Sequence, residues 1–146
     1  MPAGEEASLP GTGPGNDAPA GRQRVSSGSP FEEPIGFSRA IVVGDRVLVA
    51  GTAPVWPDGT CDPDPERQAA RCLEIITAAL EQAGARPADV VRTRVFLTDP
   101  GDWEAVGRAH GAMFRDVRPA STMVVVAALL DPRWKVEMEA EAVLGG

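Results

Sequence analysis

Two short apolar runs, Ala40-Ile41-Val42-Val43 and Val47-Leu48-Val49-Ala50, flank Gly44-Asp45, a spacing that predicts two strands closed by a tight hairpin. Gly51-Thr52-Ala53-Pro54 ends the second strand. After a loop through Trp56, Gly59 and Cys61, Asp64-Pro65-Glu66 supplies an N-cap, a proline at the first helical position and an acid in the first turn. The stripe Ala69, Cys72, Leu73, Ile76, Leu80 and Ala83 has helical period, and Gly84 stops it. Val90 to Asp99 reads as a strand, with Val91, Thr93, Val95 and Leu97 on one face and Arg92, Arg94 and Phe96 on the other. A second helix starts at Asp99-Pro100 or Asp102 and carries the stripe Trp103, Val106, His110, Met113 and Phe114, on which His110 reads as a packed side chain. The Val-dense run Ala120 to Leu129 and the alternating run Lys135 to Val143 add two strands.

The order is β-β-α-β-α-β-β, which predicts a single α+β domain with a mixed sheet and both helices on one face. The other face carries valines, so a homo-oligomer is expected to cover it. Residues 1–28 are rich in Gly, Pro, Ala and Ser without apolar period, and are expected to form a disordered tail before a domain at 29–146.

Composition narrows the functional classes. At 146 residues and 15.3 kDa, the chain fits one domain. Its net charge of −7 with scattered basic residues argues against a nucleic-acid partner. A single His and two cysteines, Cys61 and Cys72, form no metal-ligand cluster, so no metal is expected. No apolar run is long enough to span a bilayer, and the N-terminus lacks a secretory pattern. A cytoplasmic protein is expected, in which a disulfide between the cysteines is improbable.

The candidate chemistry lies near the C-terminus. Glu137, Glu139 and Glu141 fall on one face of one strand, and the preceding strand opens with Arg118-Pro119-Ala120-Ser121-Thr122. The two strands are expected to set an acid row beside a hydroxyl-bearing strand entrance.

These segments together resemble the Rid family, also called YjgF-like proteins, whose best-known members are the RidA enamine/imine deaminases. The resemblance runs from Pro34 to Leu144 through Gly36-Phe37-Ser38-Arg39-Ala40, Val49-Ala50-Gly51-Thr52-Ala53-Pro54, Gln68-Ala69, Val90-Val91-Arg92-Thr93-Arg94-Val95-Phe96, Arg118-Pro119-Ala120 and Val136-Glu137-Met138-Glu139-Ala140. It implies the YjgF/chorismate mutase-like fold with a six-stranded sheet, a homotrimer with clefts between subunits, and hydrolysis of a small imine or enamine without a cofactor. Glu137 matches the family carboxylate that handles the attacking water. Ser121 stands where the family has its substrate-binding Arg, Phe37 where it has a Tyr, and Met123 where a Cys is frequent.

A hydroxyl cannot reproduce the two parallel hydrogen bonds that a guanidinium gives a carboxylate. The resemblance therefore implies an atypical substrate bound by Ser121, Phe37, Met123 and the backbone at Gly51 and Thr52. Arg118, and behind it Arg39, are candidates to replace the lost cation. Two classes follow: a hydrolase of C=N compounds using Glu137, or a non-catalytic trimer that binds a small metabolite or partner. Endoribonuclease activity, attached to some relatives, fits the net charge poorly.

Overall fold

The hairpin at Gly44-Asp45 joins β2 (Ala40–Val43) to β3 (Arg46–Thr52), with Val43 paired to Arg46 across the turn and Gly44 at φ 60°. The computed structural model describes residues 21–145. The helix expected after Asp64 is α2 (Pro65–Gln82), whose first turn is capped by the Asp64 carboxylate accepting from the Glu66 N–H. It ends where Gly84 takes φ 84° and the Ala85 N–H returns to the Leu80 carbonyl at 2.8 Å. Its whole expected stripe is buried. A single helical turn, α1 (Glu32–Ile35), precedes β2. The helix α3 (Trp103–Phe114) follows a 3₁₀ turn capped by Asp99.

Six strands form one sheet in the order β1-β2-β3-β6-β4-β5, where β1 is Arg22–Val25, β4 is Val90–Leu97, β5 is Ala120–Val125 and β6 is Val136–Val143. Only the β4–β5 pair is parallel. The core lies between one sheet face and helices α2 and α3, with Val47, Val95, Met138, Ile76, Leu80 and Phe114 almost wholly buried.

Several expectations need correcting. The sixth strand, β1 (Arg22–Val25), comes from within the stretch read as a tail through residue 28, while residues 1–20 lie outside those described. It pairs with β2 by backbone hydrogen bonds and buries only Val25, so it needs no apolar period to form. Val91 is exposed, because a register shift between Val90 and Arg92 turns Val90 inward instead. Trp103 is 58% exposed, and the buried stripe of its helix begins at Val106.

The run expected to continue to Leu129 leaves the sheet after Val125, since its parallel neighbour β4 ends opposite, at Leu97. Most consequential, β5 and β6 are not neighbours: β4 lies between them. The uncovered sheet face is not simply Val-rich either. Ile41, Val43, Leu48, Phe96 and Val124 share it with Arg46, Arg94 and the acid row.

Candidate functional site

Along β6 the burial alternates strictly, so Val136, Met138, Ala140 and Ala142 enter the core and Glu137, Glu139 and Glu141 lie half-buried on the uncovered face. The three acids are not equivalent. Arg94, opposite on β4, donates to Glu139 at 2.8 Å and reaches Glu141 at 3.4 Å, while Arg46 pairs with Glu141 at 3.2 Å. Glu137 has no ion pair among the described residues. Burial raises its pKa above the ordinary carboxylate value, Arg39 opposes that rise, and Glu139 adds to it.

The position of Glu137 depends on Gly51. The ladder between β3 and β6 shifts between Val49 and Thr52, and Gly51 occupies that irregularity. A Cβ on Gly51 would lie 3.3 Å from Glu137 Oε2, so the carboxylate rests against a backbone with no side chain in its way. Arg39, just before β2, donates from Nη2 to the Gly51 carbonyl at 2.6 Å. Burial lowers the pKa of its guanidinium, against the attraction of Glu32 and Glu137. A carboxylate, a backbone irregularity and a cation thus converge from β6, β3 and the entrance to β2.

Other expected site residues are placed differently. Thr52 is fully buried on the helix side, its hydroxyl closed onto the Ala50 carbonyl at 2.8 Å, so only its backbone remains available to a ligand. Phe37 is exposed just after Gly36, near Arg39 in sequence. Arg118 is exposed, at φ 52°, and its Nε turns back to the Arg115 carbonyl at 3.2 Å, away from the acid row.

Ser121 is registered with Thr93, and Met123 with Val95, both core-facing positions of β4. Both therefore lie on the opposite face of the sheet from Glu137, and Met123 packs partly against the core. Ser121 is exposed at the sheet edge, but its hydroxyl is held. Buried Thr93 Oγ1 lies 2.8 Å from Ser121 Oγ and 2.8 Å from His110 Nε2 on α3. The His110 ring packs on Phe114 at 4.8 Å, and burial lowers its pKa, which favours the neutral imidazole.

A family model described as Endoribonuclease L-PSP matches residues 31–144, nearly the whole described chain. The chain belongs to the Rid family. Its α+β sheet is also that of a solved Rid-family relative, Rv2704 of Mycobacterium tuberculosis, described as a member of the YjgF/YER057c/UK114 family. That match has a TM-score of 0.78 and 45% identity, over 84% of this chain and 99% of the other. An uncharacterised Streptomyces coelicolor protein is 43% identical over 84% of this chain and 92% of its own length. A Salmonella typhimurium protein named 2-iminobutanoate/2-iminopropanoate deaminase is 35% identical over 73% of this chain and 86% of its own.

For a Rid protein, the arrangement offers one half-buried acid able to exchange a proton with water and one guanidinium beside it. Arg39 ranked behind Arg118 when read from sequence, because nearness along the chain favoured Arg118 and only the fold of β2 onto β3 brings Arg39 to Gly51. The Thr93–His110 link lies beyond what the helix and strand periods predict. Its signal was a Thr among the apolar inward positions of β4, since a buried hydroxyl requires a partner. Among the described residues, no three His, Cys, Asp or Glu side chains gather as a metal site, and no helix is long and apolar enough to cross a membrane. Cys61 and Cys72 are both free thiols.

Proposed function

We propose that this Rid protein hydrolyses the C=N bond of a small reactive imine or enamine, with Glu137 as the group that handles water. In this reading the Glu137 carboxylate takes a proton from water as its oxygen bonds to the imine carbon. The protonated Glu137 gives that proton to nitrogen to complete the carbinolamine, then takes the hydroxyl proton and passes it to the same nitrogen as the C–N bond breaks, so that imine and water become carbonyl compound and ammonia. The step requires only water and a carboxylate. The observation that carries it is the lack, among the described residues, of an ion pair at Glu137 beside Gly51, with burial raising the pKa of an acid whose two neighbours on the row are consumed by Arg94 and Arg46.

The relative named as an iminobutanoate deaminase supports the reaction class. The endoribonuclease description is disfavoured by the net charge of −7.

The working unit in this proposal is a homotrimer in the cytoplasm with clefts between subunits. Glu137 and Ser121 lie on opposite faces of one sheet, separated by β4, so one cleft can hold both only when two copies contribute. Glu137→Gln is expected to lower the accelerated hydrolysis of an imine generated in situ by about 100-fold or more, as for loss of a general base. An unchanged rate, or no acceleration by the wild type over a panel of acidic and neutral imines, overturns the hydrolase. The second reading, a non-catalytic metabolite-binding trimer, draws on Ser121 and Phe37. Ligand binding without any turnover would favour it.

A further inference from the structure

The chain His110–Thr93–Ser121 runs from α3 through a buried position of the sheet to an exposed hydroxyl on the edge strand. We propose that this relay makes Ser121 a neutral, two-way hydrogen-bonding contact that selects uncharged carbonyl, amide or imine compounds over carboxylates. The inference rests on the reading that Ser121 lines the inter-subunit cleft and names the substrate class of that same site.

Thr93 is 1% exposed and its single hydroxyl lies 2.8 Å from each neighbour, so it accepts from one and donates to the other. A neutral imidazole has one donor and one acceptor nitrogen, and this leaves two proton arrangements. With Nε2 protonated, His110 donates to Thr93, Thr93 donates to Ser121, and the Ser121 proton points outward to a carbonyl oxygen or imine nitrogen. With Nδ1 protonated, the order reverses and Ser121 Oγ accepts from an outer N–H. Neither arrangement puts a net charge at the edge strand.

The nearest basic side chain in sequence, Arg118, is turned back onto the end of α3, and Arg39 is engaged by the Gly51 carbonyl, so neither is directed at Ser121 to offset the desolvation of a carboxylate. Thr93 and His110 do not touch the ligand in this scheme. They are positioning residues, and Ser121 is the specificity-determining one.

Two probes that differ only in charge test the proposal: 2-oxobutanamide and 2-oxobutanoate, titrated into the full-length protein and followed by NMR. The wild type is expected to bind the amide about tenfold or more tighter, the order of a buried hydrogen bond that a charged group cannot make without penalty. Amide saturation should also move the His110 imidazole ¹⁵N resonances, two hydrogen bonds away from the ligand. Thr93→Val keeps the shape but breaks the relay. It should weaken amide binding roughly five- to tenfold, the loss of one neutral hydrogen bond, and silence the His110 response. Thr93→Ser should restore both, which controls for any folding defect in the Val variant. Ser121→Arg should reverse the preference toward the acid.

Equal or tighter binding of the acid by the wild type, no binding of either probe, or a His110 response that survives in Thr93→Val overturns the proposal. Amide selectivity that persists in Glu137→Gln, in a wild type found to have no turnover, would sink the hydrolase and leave this inference standing.

Discussion

Glu137 differs from Glu139 and Glu141 by having no ion pair among the described residues, and that difference has a pH signature. Burial sets its folded pKa above the unfolded value, so the folded chain binds the proton more tightly. Its contribution to stability is therefore full below the unfolded pKa of about 4.3 and is lost as pH rises through the folded value. Glu137→Gln is expected to raise Tm at pH 7, with the gain fading below about pH 4, and paired melts at the two pH values check it. A lower Tm for the variant at pH 7 would mean that the attraction of Arg39 outweighs burial. Gly51→Ala tests the seat of the carboxylate. Its Cβ meets only the end of a side chain, so unfolding free energy should change by no more than about 1 kcal/mol, while imine hydrolysis falls about tenfold or more as Glu137 is displaced. Retained activity would show that the carboxylate does not need this seat. The family resemblance sets Glu137 apart from Glu139 and Glu141 as an expectation; the ion pairs of those two acids are not legible in the sequence, because Arg94 and Arg46 reach them only through strand pairing.

At the level of elements, β1 gives the clearest test. A tail could be removed without effect, whereas β1 covers the backbone edge of β2 and buries Val25. Deleting residues 1–28 is expected to cost about 1.5–3 kcal/mol, the burial of one Val, and to promote association through the exposed edge of β2. Denaturant unfolding of the truncated chain measures it; an unchanged midpoint would return these residues to the status of a tail. The helices were far more legible. Asp64-Pro65 and Gly84 bracket α2 by cap chemistry that acts within a few residues, and its stripe needed only the helical period. Strand neighbours were less so: the acid row and the Ser121 strand adjoin in sequence but sit on either side of β4, because the chain that follows α3 returns parallel to β4 at the edge.

For the whole molecule, exposed apolar side chains gather on the surfaces that a single copy leaves uncovered. Leu130 is 97% exposed, and Val124, Val125, Val43 and Leu48 are open as well. A monomer rarely tolerates so much apolar exposure, and light scattering is expected to give three times the 15.3 kDa chain mass. Val124→Asp, on the uncovered face of the edge strand, should shift the population toward monomer and reduce imine hydrolysis with it. A monomeric wild type would remove the two-copy cleft on which both the hydrolase and the Ser121 relay depend.

The α+β class, α2 with both of its ends and the β2–β3 hairpin were determined by sequence alone, because caps, tight turns and apolar periods act over a few residues. Tertiary structure decided the rest. It recruited β1 by backbone pairing that leaves no apolar signature, turned Val90 rather than Val91 inward through a register shift, and placed Ser121 and Glu137 on opposite faces. It also joined Arg39 to Gly51 and His110 to Ser121 through Thr93. The physical reason is common to all of these. Each depends on which strand lies beside which and in what register, a choice made by packing the whole sheet against two helices rather than by any local run of residues.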